Sequence, residues 1–330
     1  MRLARHIPLL FGLLVICVVA APDNAAAQSA QYRLDEHWTQ LPDGRQWGSV
    51  SSVAIAPDGS IWALERCGAN SCAGSNVAPV VHLDASGKYL GSVGAGLFVF
   101  PHGLHVDREG NVWATDAEGK DGKGHQVFKF SPDGKVLMKL GKAGVAGDGP
   151  DTFNRPSAVV TAPNGDVFVA DGHGGESNAR IVRFSKDGKF LKTWGRKGSG
   201  AGELGELHAI SMDSKGRLFV GDRGNSRIVV YDNEGNQLAE WRQFGRPSGI
   251  YIDRSDTIYV TDHSSDAKRN PGVKRGIRVG STADGVVKAM IPAVGPDETA
   301  AAPEGIAADA RGNIYGGDVA RKTVSRYTRQ

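Results

Sequence analysis

Short runs in which apolar and β-branched residues alternate with polar ones, broken by turns rich in glycine and aspartate, recur along this chain in a fixed order. Period-two runs bounded by turn residues predict strands. Stacking them shows a repeat, at residues 50–65 (VSSVAIAPDGSIWALE), 101–116 (PHGLHVDREGNVWATD), 156–171 (PSAVVTAPNGDVFVAD), 207–222 (LHAISMDSKGRLFVGD), 247–262 (PSGIYIDRSDTIYVTD) and 303–318 (PEGIAADARGNIYGGD). Each copy reads as a strand, a turn built on Gly or Asp, and a β-branched or aromatic strand that ends in an acid. Third and fourth strands follow most pairs, at 126–130 and 136–140, 180–184 and 190–194, and 227–231 and 237–241, joined by hairpin turns such as SPDGK and DNEGN. Repeated four-stranded units predict propeller blades.

The last repeat has room for only three strands before Gln330, while residues 32–38 (YRLDEHW) precede the first repeat without a partner. The expected fold is therefore an all-β, six-bladed β-propeller of four-stranded blades, closed by the N-terminal strand joining the last blade, which leaves no exposed sheet edge. Forty-five glycines in 330 residues suit such a turn-rich chain. One domain over residues 28–330 is expected, with about 50 residues per blade.

The beginning of the chain reads differently. Arg2, Arg5 and His6 precede the apolar run 7–21, and residues 24–30 (NAAAQSA) offer small residues for cleavage after Ala27. This is the pattern of a secretory signal at 1–27, and the run is too short for a spanning helix. A secreted or periplasmic protein with no membrane span in the mature chain is expected. Ile16 before Cys17 argues against a lipoprotein. Once Cys17 leaves with the signal, Cys67 and Cys72 remain as an even pair in an oxidising compartment, and a local disulfide is expected. The formal charge is only +3 with dispersed basic residues, so no nucleic-acid or acidic-membrane partner is indicated. A monomer is expected.

Register within the repeat points to the chemistry. Antiparallel pairing brings the start of the first strand and the end of the second to one face, and the innermost strand lines the axis. The axial residues are Ser51, His102, Ser157, His208, Ser248 and Glu304, so serine alternates with a metal-ligand type. Ligands on blades two, four and six are a third of a turn apart and can hold one ion with an open position, as two histidines and a carboxylate do in catalytic zinc sites. Zinc leads, and iron(II) also suits the set. Taken singly, a histidine at a polar channel mouth is a wall residue; the alternation is what favours a ligand. Arg66, His173, Arg223 and His263 follow the strand-ending acids and should share that face, where two guanidiniums can clamp a carboxylate and an imidazole can move a proton. Singly, each also has a structural explanation. His37, His82, His105 and His125 are assigned to outer strands or loops and read as structural, and the six acids as anchors for the next turn.

These residues sit in motifs that resemble a known family. FVFPHGLHVDREGNVWATD with HQVFKF, FNRPSAVVTAPNGDVFVADG with ARIVRFSKDGKFLKTWG, and ELHAISMDSKGRLFVGDR with GNSRIVVYD resemble, in that order, the NHL-repeat propeller of the peptidyl-α-hydroxyglycine α-amidating lyases. The resemblance implies a six-bladed propeller with zinc on three histidines of alternate blades, an arginine pair and a tyrosine at the chemistry, and a nearby structural calcium. His102 and His208 match two zinc histidines; Arg66 and Arg223 match the arginines. Departures are specific. Pro303-Glu304-Gly305 stands where the family has Pro-His-Asp, so Glu304 replaces the third histidine and calcium is not expected. His173, inside DGHGGESNARIV, aligns with the tyrosine, and the family's disulfide cysteines do not match at the Cys67–Cys72 loop.

Together these readings imply an exported metal-dependent lyase, or related hydrolase, acting on a small-molecule or peptide substrate. His102, His208 and Glu304 would hold the metal, and Arg66, Arg223 and His173 would do the chemistry. His263 and Ser157 would line the substrate. For a peptidyl-α-hydroxyglycine the products would be an amide and glyoxylate. The alternative is a non-catalytic periplasmic propeller that recognises a peptide, glycan or protein on the same rim. A calcium-dependent lactonase ranks behind both, because the axial ring supplies one carboxylate.

Overall fold

The computed structural model describes residues 32–295 and 301–330; the signal segment 1–27 and Cys17 lie outside the described residues. The repeats form six four-stranded antiparallel sheets. Blade four shows why the sequence folds this way. Leu207–Met212, Leu218–Asp222, Arg227–Tyr231 and Gln237–Trp241 pair in order, with Leu207 opposite Asp222 and Ile228 opposite Trp241. LFVGD and RIVVY, the middle strands, are buried throughout, because a blade packs against a neighbour on each face. The outermost strand meets solvent, and Leu238 is left exposed. At the turn between the first two strands of blade five, Asp256 takes the place glycine holds elsewhere and adopts φ +60°. Ser214 of blade four holds it there, donating from N–H and hydroxyl to its two carboxylate oxygens at 2.9 and 2.6 Å.

Each innermost strand packs on the next around the ring, and Gly305–Ala308 returns to Val50–Ile55. The apolar core is accordingly a set of radial layers between blades. Phe168 and Ile181 of blade three meet Leu218 and Val220 of blade four in one layer, and Leu64 and Val80 of blade one meet Val112 and Phe128 of blade two in another. The ring closes as the unpaired strands of the sequence require. Tyr32–Asp35 pairs with Thr323–Arg329, placing Tyr32 opposite Arg329 and Asp35 opposite Arg326. Trp38 then fills the layer between blades six and one, where its indole N–H donates to the Val324 carbonyl at 2.9 Å.

The strand-ending acids are buried anchors of two segments: Glu65, Asp262 and Asp318 accept amides of the turn that follows, as expected, and among the described residues all but Asp318 also hold the loop entering their own blade. Asp116 accepts from the amides of Val99 and Phe100, Asp171 from Asn154, Asp222 from Gly205, and Asp262 from Arg246. Glu65 binds on both sides, accepting from Gly48 and Gly68. The reason lies in register: each acid stands opposite the first residue of its innermost strand or beside it, as Asp116 does to Pro101, so the incoming loop is its nearest source of free amides. Because the closing contact concentrates on one side chain, Trp38→Ala should cost about 3–5 kcal/mol of unfolding free energy. Denaturant titration beside the wild type measures it, and a loss under 1 kcal/mol, about the size of a surface substitution, would mean that the strand pairing alone closes the ring.

Candidate functional site

The axial residues of blades two, four and six do converge, though as a buried cluster and not at an open mouth: His102, His208 and Glu304 are 2%, 3% and 6% exposed. Nδ1 of His102 lies 2.8 Å from the Ser157 carbonyl oxygen, and Nδ1 of His208 lies 2.6 Å from that of Ser248. A carbonyl only accepts, so each Nδ1 carries the hydrogen and each Nε2 presents a lone pair to the axis. Gly103 permits this approach, since a Cβ there would fall 2.3 Å from the Ser157 oxygen. Glu304 Oε1 stands 3.4 Å from His102 Nε2 and 3.8 Å from His208 Nε2. His173 reaches in from the loop between the second and third strands of blade three, its ring 4.2 Å from that of His102 and 5.2 Å from that of His208. Ligand atoms of the three histidines lie within 4.8 Å of one another.

Electrostatics make this a cage of acceptors. Burial holds His102 and His208 well below the ordinary imidazole range, helped by the neighbouring His173 in the first case and Arg223 in the second. Burial and then Arg223 bring both His173 and His263 down to about 3. Burial raises the Glu304 carboxyl, against the pull of Arg66. His102 Nε2, His208 Nε2, His173 Nδ1 and Glu304 Oε1 are buried without a hydrogen-bond partner. Unpaired buried acceptors are costly, and a shared cation is the group that would satisfy several at once. The donor set therefore fits a divalent metal, with the two carbonyls orienting its imidazoles.

Cationic groups ring the cluster. Arg66 lies over the Phe100 ring, 3.9 Å from its centre, donates to Pro101 O and Asn70 Oδ1 at 3.3 and 2.7 Å, and turns Nη2 to within 3.6 Å of Glu304 Oε1. Asn70 belongs to the loop closed by the Cys67–Cys72 disulfide, which is formed as expected. Arg223 is held by a two-pronged contact to Glu206, which Arg246 also approaches at 3.7 Å. His263 donates or accepts at Ser248 Oγ through Nδ1, 2.7 Å away, and places Nε2 3.7 Å from Glu304 Oε2.

Some residues serve differently from expectation. Ser157 is fully buried with its hydroxyl donating to Ala170 O at 3.2 Å, so it orients His102 through its carbonyl where a substrate contact was expected. His105 lies on the innermost strand of blade two, not an outer one; its ring turns off the axis to Thr161 of blade three at 2.9 Å. At Gly305 a Cβ would sit 2.5 Å from Ser52 Cα, so the close packing of blades six and one excludes an aspartate. Phe100, Glu206 and Arg246 were missed. Each lies two residues before an axial position, together with Arg155, so the repeat register that located the axial ring also carried this second ring.

Comparison with known proteins agrees with this architecture. A family model described as a 6-bladed beta-propeller matches residues 158–245. The chain is 31% identical over 217 residues to NHL repeat-containing protein 3 of Homo sapiens, covering 64% of this chain and 59% of that protein. It is 29% identical over 275 residues to a probable peptidyl-alpha-hydroxyglycine alpha-amidating lyase of Caenorhabditis elegans, covering 74% of this chain and 76% of the relative. A gluconolactonase structure from Xanthomonas campestris superposes with a TM-score of 0.62 at 16% identity, over 92% of both chains, which is a likeness of fold alone. The disulfide loop that carries Asn70 should be a measurable constraint: replacing Cys67 and Cys72 with serine is expected to cost about 2 kcal/mol. Denaturant unfolding with and without reductant tests this, and identical curves would show that the loop is held by its other contacts.

Proposed function

We propose that this chain, a six-bladed NHL-type propeller similar to the amidating lyases, is an exported metal-dependent lyase acting on a peptidyl-α-hydroxyglycine or a related hydroxylated substrate. One observation carries the reading: the buried, unpartnered acceptors of His102, His208 and Glu304 face one another at the axis. These are the residues that would hold the ion, with zinc the first candidate and iron(II) the second. A divalent ion there would polarise the substrate oxygen and make its hydroxyl easier to ionise.

The chain's own groups do the rest. Arg66 is fixed by Phe100, Pro101 and Asn70 with Nη2 directed at the cluster, so it can bind a substrate carbonyl or carboxylate without reorganising. Arg223, steadied by Glu206, adds a second positive charge beside the imidazoles. His263 is the imidazole nearest Glu304 that keeps solvent exposure, at 25% of its side chain, and its neutral form can accept a proton. An anionic substrate docked on the arginines would offset part of the charge that, after burial, depresses this imidazole, and would strengthen it as a base. For a hydroxyglycine peptide, the hydroxyl loses its proton as its oxygen becomes the aldehyde carbonyl of glyoxylate. The carbon–nitrogen bond breaks with its electron pair going to nitrogen, and that nitrogen takes up a proton to give the amide. Export is supported by the 1–27 leader pattern and by the disulfide, which suits an oxidising compartment.

Purified protein stripped with chelator should lose glyoxylate release from an α-hydroxyglycine peptide and regain it on adding zinc or iron(II). Arg66→Ala should lower kcat/KM by about 10²–10³-fold, the scale of one charge-stabilising donor, with metal content unchanged. Equal turnover by metal-free and loaded protein, or no turnover by either, would reject the lyase reading.

A further inference from the structure

His173 is the group the lyase reading leaves without a partner. Its N–H donates to Arg155 O at 2.9 Å and its own carbonyl accepts from Arg155 Nη1 at 3.3 Å, so the backbone of this loop residue is clamped. The clamped backbone aims the ring into the cluster. Nδ1 is buried and unbonded, and the ring offers one nitrogen within 4.8 Å of ligand atoms of His102 and His208. The residue as a whole is partly exposed, with the Glu206 carboxylate in its field, but Nδ1 itself is closed off from solvent.

We propose, resting on the metal site above, that His173 is a fourth metal ligand, so that the set is His102, His173, His208 and Glu304 and the ion is one that takes five or six ligands. The placement of the blades supports this. In a ring of six, blade three stands opposite blade six, so the loop carrying His173 and the strand start carrying Glu304 approach the histidine pair from opposite sides. A tetrahedral ion offers no opposed positions, and zinc filled by four protein donors would have no place for substrate. An octahedral ion such as iron(II) or manganese(II) offers opposed positions and keeps sites free. Three imidazoles and one carboxylate are a mixed donor set that such ions accept. The proton-transfer role expected of His173 then passes to His263, whose Nε2 faces Glu304 Oε2.

Cobalt(II) added to the chelator-stripped full chain reads the ligand set directly. The wild type should show one hyperfine-shifted, exchangeable imidazole N–H signal for each of His102, His173 and His208, with the weak visible absorption of a five- or six-coordinate ion. His173→Ala should lose one signal and bind cobalt more weakly by more than the about 10–100-fold expected for a group that only orients a ligand. His173→Asn is the second variant should alanine fail to fold. Absence of a His173 signal in the wild type, an intense tetrahedral band, or unchanged affinity in both variants would overturn the fourth-ligand assignment while leaving a metal site in place. A wild type that binds no cobalt, zinc or iron(II) would overturn the metal site itself.

Discussion

In blades one to five the buried carboxylate at the end of the second strand fixes how the chain enters the innermost strand of that same blade. In blades two to five an aspartate accepts backbone amides from the loop that leads into the innermost strand, and in blade one Glu65 holds the corresponding Gly48. A carboxylate taken out of water is unfavourable unless its oxygens are bonded, so these contacts admit little slack. Position at the axis follows from them. His102 begins two residues after a tethered amide, and His208 three after another, which is why both rings meet the carbonyl of the next blade at hydrogen-bonding distance.

That rigidity makes the central cluster unusual among buried polar groups. Protein interiors normally pair every donor with an acceptor, yet here Nε2 of His102 and His208 and Oε1 of Glu304 gather unbonded beside an equally unbonded His173 Nδ1, with carbonyls already engaging the other nitrogen of His102 and His208. The surrounding arginines intensify the effect by keeping the imidazoles neutral. Burial acts first, and the field of Arg223 and Arg66 adds to it. Cations at the rim and lone pairs at the axis thus do complementary work: the rim attracts negative charge and the axis accepts positive charge.

Much of this was legible because the repeat fixes register. Counting from each proline or its counterpart placed His102, His208 and Glu304 together, and counting from each acid placed Arg66, His173, Arg223 and His263 beside them. The same count would have reached Phe100, Glu206 and Arg246, two residues earlier, had those positions been compared. His105 falls within the first strand of its own repeat, PHGLHV, so its place on the innermost strand was legible, while its partner Thr161 belongs to the next blade and was not. The Ser157 hydroxyl donates to Ala170 O within its own blade, and its carbonyl accepts from His102. Gly305 looked like a lost ligand and is a contact requirement.

By itself, the sequence determined the six blades, their closure by residues 32–35, the disulfide and the residue types that face the axis, because each is set by local periodicity or by short-range pairing. Only the tertiary structure decided which nitrogen of His102 and His208 faces inward, that Arg66 is held by Asn70 and Phe100, and how near the His173 ring comes to both histidines. Those outcomes depend on distances between segments remote in the chain. Periodicity fixes where along a strand a side chain starts, whereas its partners are set by how closely neighbouring blades pack.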